Sequence, residues 1–225
     1  MGAGGHPISM SEWVDCSQPF DADAEHGSTR PPEFEQLATP ATDGVSVQWL
    51  GTSTHTGTHV DAPRHFVPEG ATIDELPLDR FAGPGVVLDV EREEPGAVDA
   101  DALAGAGGTV DSGDVVLVRT GWGDRYGTPE YARYPWLTAD AADWLLDHEV
   151  KLLGVDTRSP DRPRAMRPDG WDAYPVHRRL LPGGTLVAEN LDLPASLAGE
   201  RVEVFGFPVD VRGGDGAPAR FVVRR

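Results

Sequence analysis

Four short apolar runs, at 85–90, 114–119, 152–156 and 185–191, constrain the fold of this chain more than any other feature. They are rich in Val and Leu and read as strands buried within a domain. Helical signals fall between them. Thr138 is a fair N-cap, and Ala141, Ala142, Leu145 and Leu146 share one side of the helix that follows. A weak helix is expected at 99–105, and another at 175–181 with Pro175 near its first turn. Further strands are expected at 13–20, 45–50, 201–211 and 219–223, the 45–50 segment alternating as a half-buried strand does. Strands outnumber helices, so the expected fold class is α/β, a single domain with a mixed β-sheet. No repeat or linker divides the 225 residues, which gives one domain over 1–225. Its first 44 residues read as a loose arm at 1–12, the first strand and a long loop at 21–44. A connecting segment follows at 66–78, with Ile73, Leu76 and Leu78 as its anchors, and another long loop is expected at 157–174.

The strand at 45–50 runs into His55-Thr-Gly-Thr-His-Val-Asp-Ala-Pro-Arg-His65, which holds three of the chain's 7 histidines. Neutral imidazole and carboxylate are ligands that suit zinc and manganese. Gly57 and Pro63 argue against a regular helix here. In an extended segment His59 and Asp61 point to one face, and His55 can join them across a turn at Gly57. Three protein ligands with open positions form a catalytic rather than a structural metal site. Far downstream, Glu189 lies in an apolar run without a balancing charge, and a buried carboxylate needs a cation or a hydrogen-bonding partner. Thr58 and Asn190 flank ligand positions and are candidates for orienting them.

The full pattern H-x-G-T-H-x-D-x-P-x-H resembles the signature of the cyclase/arylformamidase family of metal-dependent hydrolases. That family includes bacterial kynurenine formamidases, isatin hydrolase and certain polyketide cyclases. The resemblance extends to Asp15-x-Ser-x-Pro, Leu117-Val-Arg-Thr-Gly121, Gly154-Val-Asp156, His177-Arg-Arg-Leu-Leu and Ala188-Glu-Asn-Leu-Asp-Leu193. It implies a swivelling β/β/α-type domain, usually a homodimer or homotetramer with arms exchanged near the active site. It implies one or two divalent ions, zinc or alternatively manganese. His55, His59 and Asp61 would hold the first; Asp61 would bridge to a second held by His177 and Glu189. His65 would be the general acid/base, and no organic cofactor is expected. The reaction implied is hydrolysis of an amide-type C–N bond in an arylformamide or small cyclic amide. A metal-dependent cyclase acting on a polyketide-like intermediate is the alternative, and a metal-stabilised binding protein a third reading. One segment departs from the family's formamidases: where they usually carry Trp-Pro-Gly-Asp, residues 25–33 read Glu-His-Gly-Ser-Thr-Arg-Pro-Pro-Glu.

Composition narrows the partners to a small-molecule substrate. A net charge of -18 argues against nucleic acid and anionic membranes, which need basic surfaces. Cys16 is the single cysteine, so no intrachain disulfide forms. No apolar run reaches the length of a membrane span and no signal peptide is visible, so a cytoplasmic enzyme is expected. The loop at 158–167 concentrates four arginines, Arg158, Arg162, Arg164 and Arg167, in an otherwise acidic chain. They either offset nearby carboxylates or present a fork to a substrate carboxylate.

Overall fold

The computed structural model describes residues 12–25, 30–169 and 173–225. The expected arm at 1–12 falls outside them except for its last residue, as do residues 26–29 of the segment that departs from the formamidase pattern.

In chain order the strands are β1 (Trp13–Asp15), β2 (Glu33–Ala38), β3 (Val47–Gly51), β4 (His59–Asp61), β5 (Ala82–Asp89), β6 (Ala97–Val98), β7 (Val115–Arg119), β8 (Trp136–Leu137), β9 (Leu152–Val155), β10 (Leu186–Glu189), β11 (Arg201–Pro208) and β12 (Gly216–Arg224). The α-helices are α1 (Pro40–Asp43), α2 (Ala100–Gly105), α3 (Ala139–Asp147) and α4 (His177–Gly183). Eight strands form one mixed sheet in the order β1-β12-β11-β5-β7-β9-β10-β4, and a further pairing of β12 with β4 closes seven of them into a ring. The pairs β5–β7, β7–β9 and β9–β10 are parallel; the others in the ring are antiparallel.

Two apolar layers explain the continuous runs. Val115 and Leu117 of β7 join Val87, Leu152, Leu186, Ala188, Val204 and Phe221 in one core. Val116 and Val118, on the opposite face, join Leu103 of α2, Leu145 of α3 and Leu180 of α4 in a second. Because both faces of β5, β7, β9 and β10 are covered, alternation has no polar side to reveal. Caps form as their residue types predict: Asp99 accepts from Ala102 N at 2.9 Å, and Thr138 accepts from Ala141 N at 3.4 Å.

Three expectations change. The stretch 21–44 is not one loop, because it holds β2 and α1. Among the described residues strand β3 pairs only with β2, outside the ring, so it is exposed rather than half-buried, and Val47, Trp49 and Leu50 lie on the surface. In the connecting segment Ile73 is buried, but Leu78 is 70 % exposed and anchors nothing.

Candidate metal centre

Strand β4 carries the motif into the sheet. Gly57 takes a left-handed φ of 60°, which turns the chain between His55 and β4. Val60 points into the core, so His59 and Asp61 share the other face, as alternation requires. Antiparallel pairing sets Glu189 of β10 directly opposite His59, and Val187 opposite Asp61. Cross-strand pairs lie side by side on one face, which brings Glu189 beside His59 and Asp61. His177, the first residue of α4, approaches from the helical layer. The five residues assigned as ligands from sequence thus converge.

The geometry is that of two facing carboxylates ringed by histidines. Asp61 Oδ1 lies 2.8 Å from His55 Nδ1 and 3.3 Å from His59 Nε2, and Asp61 Oδ2 lies 3.1 Å from His177 Nε2. Glu189 Oε2 lies 3.4 Å from His59 Nε2, and Glu189 Oε1 lies 3.2 Å from His177 Nε2. His59, Asp61, His177 and Glu189 are all buried. Among the described residues, every ion-pair partner of these two carboxylates is a histidine. Candidate ligand atoms cluster as His59, Asp61 and Glu189, and as His55, Asp61 and His65, each set within 4.8 Å. Asp61 belongs to both.

The residues fit a divalent ion. Nδ1 of His59 is 2.8 Å from the Gly57 carbonyl, so it carries the proton of the neutral ring and leaves a lone pair on Nε2. That buried Nε2 makes no hydrogen bond and faces two carboxylates. Such a cluster of acceptors needs a cation at its centre. With no ion bound, a proton takes that role. Burial opposes charging His59, but the carboxylates of Asp61 and Glu189 outweigh it and push its pKa up to about 10. Burial raises the pKa of Asp61, yet hydrogen bonds from His177 and His55 and the nearby charge of His59 hold it well below the usual carboxylate range. Metal binding to such ligands therefore releases protons.

Each ring is fixed from behind by a different group. His177 Nδ1 lies 2.6 Å from Asp161 Oδ2, and the same carboxylate accepts from the backbone N–H of Val176 and His177. His55 Nε2 lies 3.0 Å from Asp215 Oδ2. The Gly57 carbonyl that orients His59 also accepts from Asn190 Nδ2 at 3.0 Å, and Tyr131 donates to Asn190 Oδ1 at 2.9 Å. Thr58 Oγ1 donates to the Asn190 carbonyl at 2.6 Å, so it ties β4 to β10 rather than touching a ligand ring. Asp161, Asp215 and Tyr131 were not legible as site residues. Their contacts arise only in the folded chain, and none sits in a pattern that marks it.

His65 ends a 3-10 turn, Pro63–His65, at the rim of the cluster. Its ring is 3.9 Å from that of His55 and 6.1 Å from that of His177, and its side chain is 30 % exposed. Burial lowers its pKa; the charge of Asp61 acts against this and the neighbouring His55 and His177 reinforce it. Beside it, Phe66 stacks on His177 with ring centres 4.7 Å apart, and Tyr174 lies 5.3 Å from Phe66. Of the four loop arginines, Arg158 pairs with Glu25 at 3.4 Å, Arg162 covers Trp136 and Arg167 covers Tyr174. Arg167 thus reaches this aromatic wall.

Comparison with known proteins gives a consistent picture. A family model described as "Putative cyclase" matches residues 14–162, which include the motif and exclude His177 and Glu189. A kynurenine formamidase of Bacillus thuringiensis is 31 % identical over 221 residues, covering 96 % of this chain and 99 % of the relative. A kynurenine formamidase of Salinibacter ruber is 36 % identical over 180 residues, 80 % of each chain. The crystal structure of an isatin hydrolase bound to the product analogue thioisatinate superposes with a TM-score of 0.85 at 22 % identity, over 96 % of this chain and 92 % of that one.

Proposed function

The chain belongs to the cyclase family, and from that premise we propose that it is a metal-dependent hydrolase cleaving an amide-type C–N bond, in an arylformamide or a small cyclic amide. The observation that carries the reading is the pair of buried, facing carboxylates, Asp61 and Glu189, with His59 Nε2 unbonded between them. Similarity to kynurenine formamidases over nearly the whole chain favours hydrolysis over ring closure.

His55, His59 and Asp61 would hold one divalent ion; His177 and Glu189, sharing Asp61, would hold a second. Zinc suits the imidazole-rich set, and manganese is the alternative because carboxylates also suit it. A divalent ion there supplies an activated water near neutral pH and polarises a carbonyl oxygen. His65, neutral at pH 7 and at the open rim, takes a proton from the attacking water and returns it to the leaving nitrogen. Its Nδ1 faces Asp215 at 3.4 Å, so Nε2 is the nitrogen free for that transfer. Phe66 and Tyr174 wall the site on the side of His177 and suit an aromatic substrate.

The direct test is a panel of N-formylkynurenine, isatin and simple lactams, incubated with protein of measured metal content and followed by mass spectrometry for new carboxylate. Turnover of none of them by the metal-loaded protein would overturn the reading.

Metal number has its own expected result. Fully loaded wild-type protein carries two ions per chain, and Glu189→Gln halves that content while the first site stays filled. Saturation of wild type at one ion that the Gln variant retains would leave a mononuclear site. The arginine loop supplies a further expectation. Arg167→Ala raises KM for carboxylate-bearing substrates and leaves neutral analogues alone, because a guanidinium binds two carboxylate oxygens at once. Equal effects on both substrate kinds would return Arg167 to a purely structural role.

The same reading takes the chain as one hydrolase domain over 1–225, acting in the cytoplasm as a homodimer or homotetramer. The exposed apolar side chains Leu37, Val47, Trp49 and Leu50 on the β2–β3 hairpin support an assembly that covers them. No helix among the described residues is long and apolar enough to cross a membrane.

A further inference from the structure

The segment joining β11 to β12 ends in Gly213-Gly214-Asp215, just before Gly216 opens β12, and its backbone is pinned to the metal motif and the turn beyond it. Ala62 N donates to the Asp215 carbonyl and Ile73 N to the Gly214 carbonyl, both at 2.9 Å. Gly213 N donates to Asp74 Oδ1, also at 2.9 Å. The side chain of Asp215 is equally constrained. Its Oδ1 accepts from Thr54 Oγ1 at 2.8 Å, and its Oδ2 lies 3.0 Å from His55 Nε2. With one oxygen held by Thr54, the carboxylate plane cannot rotate away from the histidine.

A carboxylate only accepts, so the hydrogen bond to Asp215 places a proton on His55 Nε2. By the same rule Nδ1 donates to Asp61 Oδ1 at 2.8 Å, so a divalent ion held by His55 would replace the Nδ1 proton while Asp215 keeps the one on Nε2. The next residue completes the seat. A Cβ at Gly216 would stand 2.8 Å from His55 Cε1 and 3.3 Å from Nδ1, so only glycine lets the ring lie this close to β12. The same Asp215 oxygen is 3.4 Å from His65 Nδ1, so one carboxylate touches both rims of the motif.

We propose that Asp215 is a positioning residue that holds His55 in the tautomer and orientation presenting Nδ1 to a divalent ion, without itself binding the ion. Carboxylates behind metal-ligating histidines fix ring orientation and raise ligand basicity, and removing them weakens metal binding by roughly 10–100-fold. This rests on the proposed role of His55 as a ligand.

The test uses metal-free full-length protein and zinc alone, titrated against a chromogenic chelator. Asp215→Ala binds the tightest zinc ion roughly 10–100-fold more weakly than wild type. Asp215→Asn recovers most of that loss, because its amide oxygen can accept from His55 while its NH2 donates to Thr54 Oγ1. Thr54→Val, which frees the carboxylate plane, weakens zinc in the same direction by a smaller factor and serves if Asp215→Ala does not fold. Unchanged zinc affinity in Asp215→Ala, or in Thr54→Val where the alanine variant does not fold, overturns the proposal. So does equal weakening by Ala and Asn, which would mean that charge rather than orientation matters. His55→Ala separates the two levels of the argument. If it binds zinc as wild type does, the ligand assignment fails; if it binds weakly while Asp215→Ala does not, only the positioning role fails.

Discussion

Asp61→Ala yields a protein that neither retains metal nor turns over substrate. The side chain is 1 % exposed and its two oxygens contact three histidines, so its loss removes the one group that, among the described residues, both ligand clusters share. What remains is Glu189 facing His59 and His177, a single negative charge that one proton can neutralise without an ion. A bound divalent ion supplies several kcal/mol of transition-state stabilisation, and about 1.4 kcal/mol is a factor of ten, so activity falls by roughly a thousandfold or more. Elemental analysis after dialysis reads the metal directly. A second readout is thermal: zinc raises the Tm of wild type by mass action and leaves the variant unmoved. Full metal content in Asp61→Ala would show that the ion, if present, sits elsewhere.

His65→Ala has the opposite signature. Metal content is unchanged and turnover falls by roughly 10²–10⁴-fold, the usual worth of a positioned acid/base. The two roles open to this ring are thereby separated, because its candidate ligand atom also lies within 4.8 Å of those of His55 and Asp61. A ligand would take metal with it when removed; a proton carrier would not. The loss should be greatest for amides with a poorly stabilised leaving nitrogen, where protonation of that atom matters most. Near wild-type turnover on such a substrate would remove His65 from the chemistry.

The parts of the site that were legible are those whose neighbours in space are also neighbours in sequence or in strand period. His59 and Asp61 are two apart on β4, and His55 is one turn away. Glu189 stood out because an apolar strand surrounds it, an energetic conflict visible without coordinates. Asp161 and Asp215 carried no such conflict. Asp161 lies among arginines that supply an ordinary explanation for its charge, and Asp215 is partly exposed in a glycine-rich turn. The same logic governs the fold. Strands β5, β7, β9 and β10 were readable because both faces are buried, while β2 was missed because its residues are mostly exposed, so no burial pattern marks it. The alternation in β3 was real, but it marked an apolar face that the ring does not cover.

The pairing of β4 with both β10 and β12 has a consequence for how the protein is made. His55 and Asp215 are 160 residues apart, and among the described residues β12 follows every other strand. At about 5–20 residues per second, the motif leaves the ribosome on the order of ten seconds before the strand that closes the ring. Until β10 follows, β4 has no partner on either edge, and its histidines are available to any passing cation. Pairing at such separation is slow to form, since loop-closure entropy is spent before the contacts repay it. Translation that stops after β11 leaves β4 without β12 and His55 without Asp215. A chain that stops before β12 therefore has every assigned ligand, yet lacks the strand that seats them.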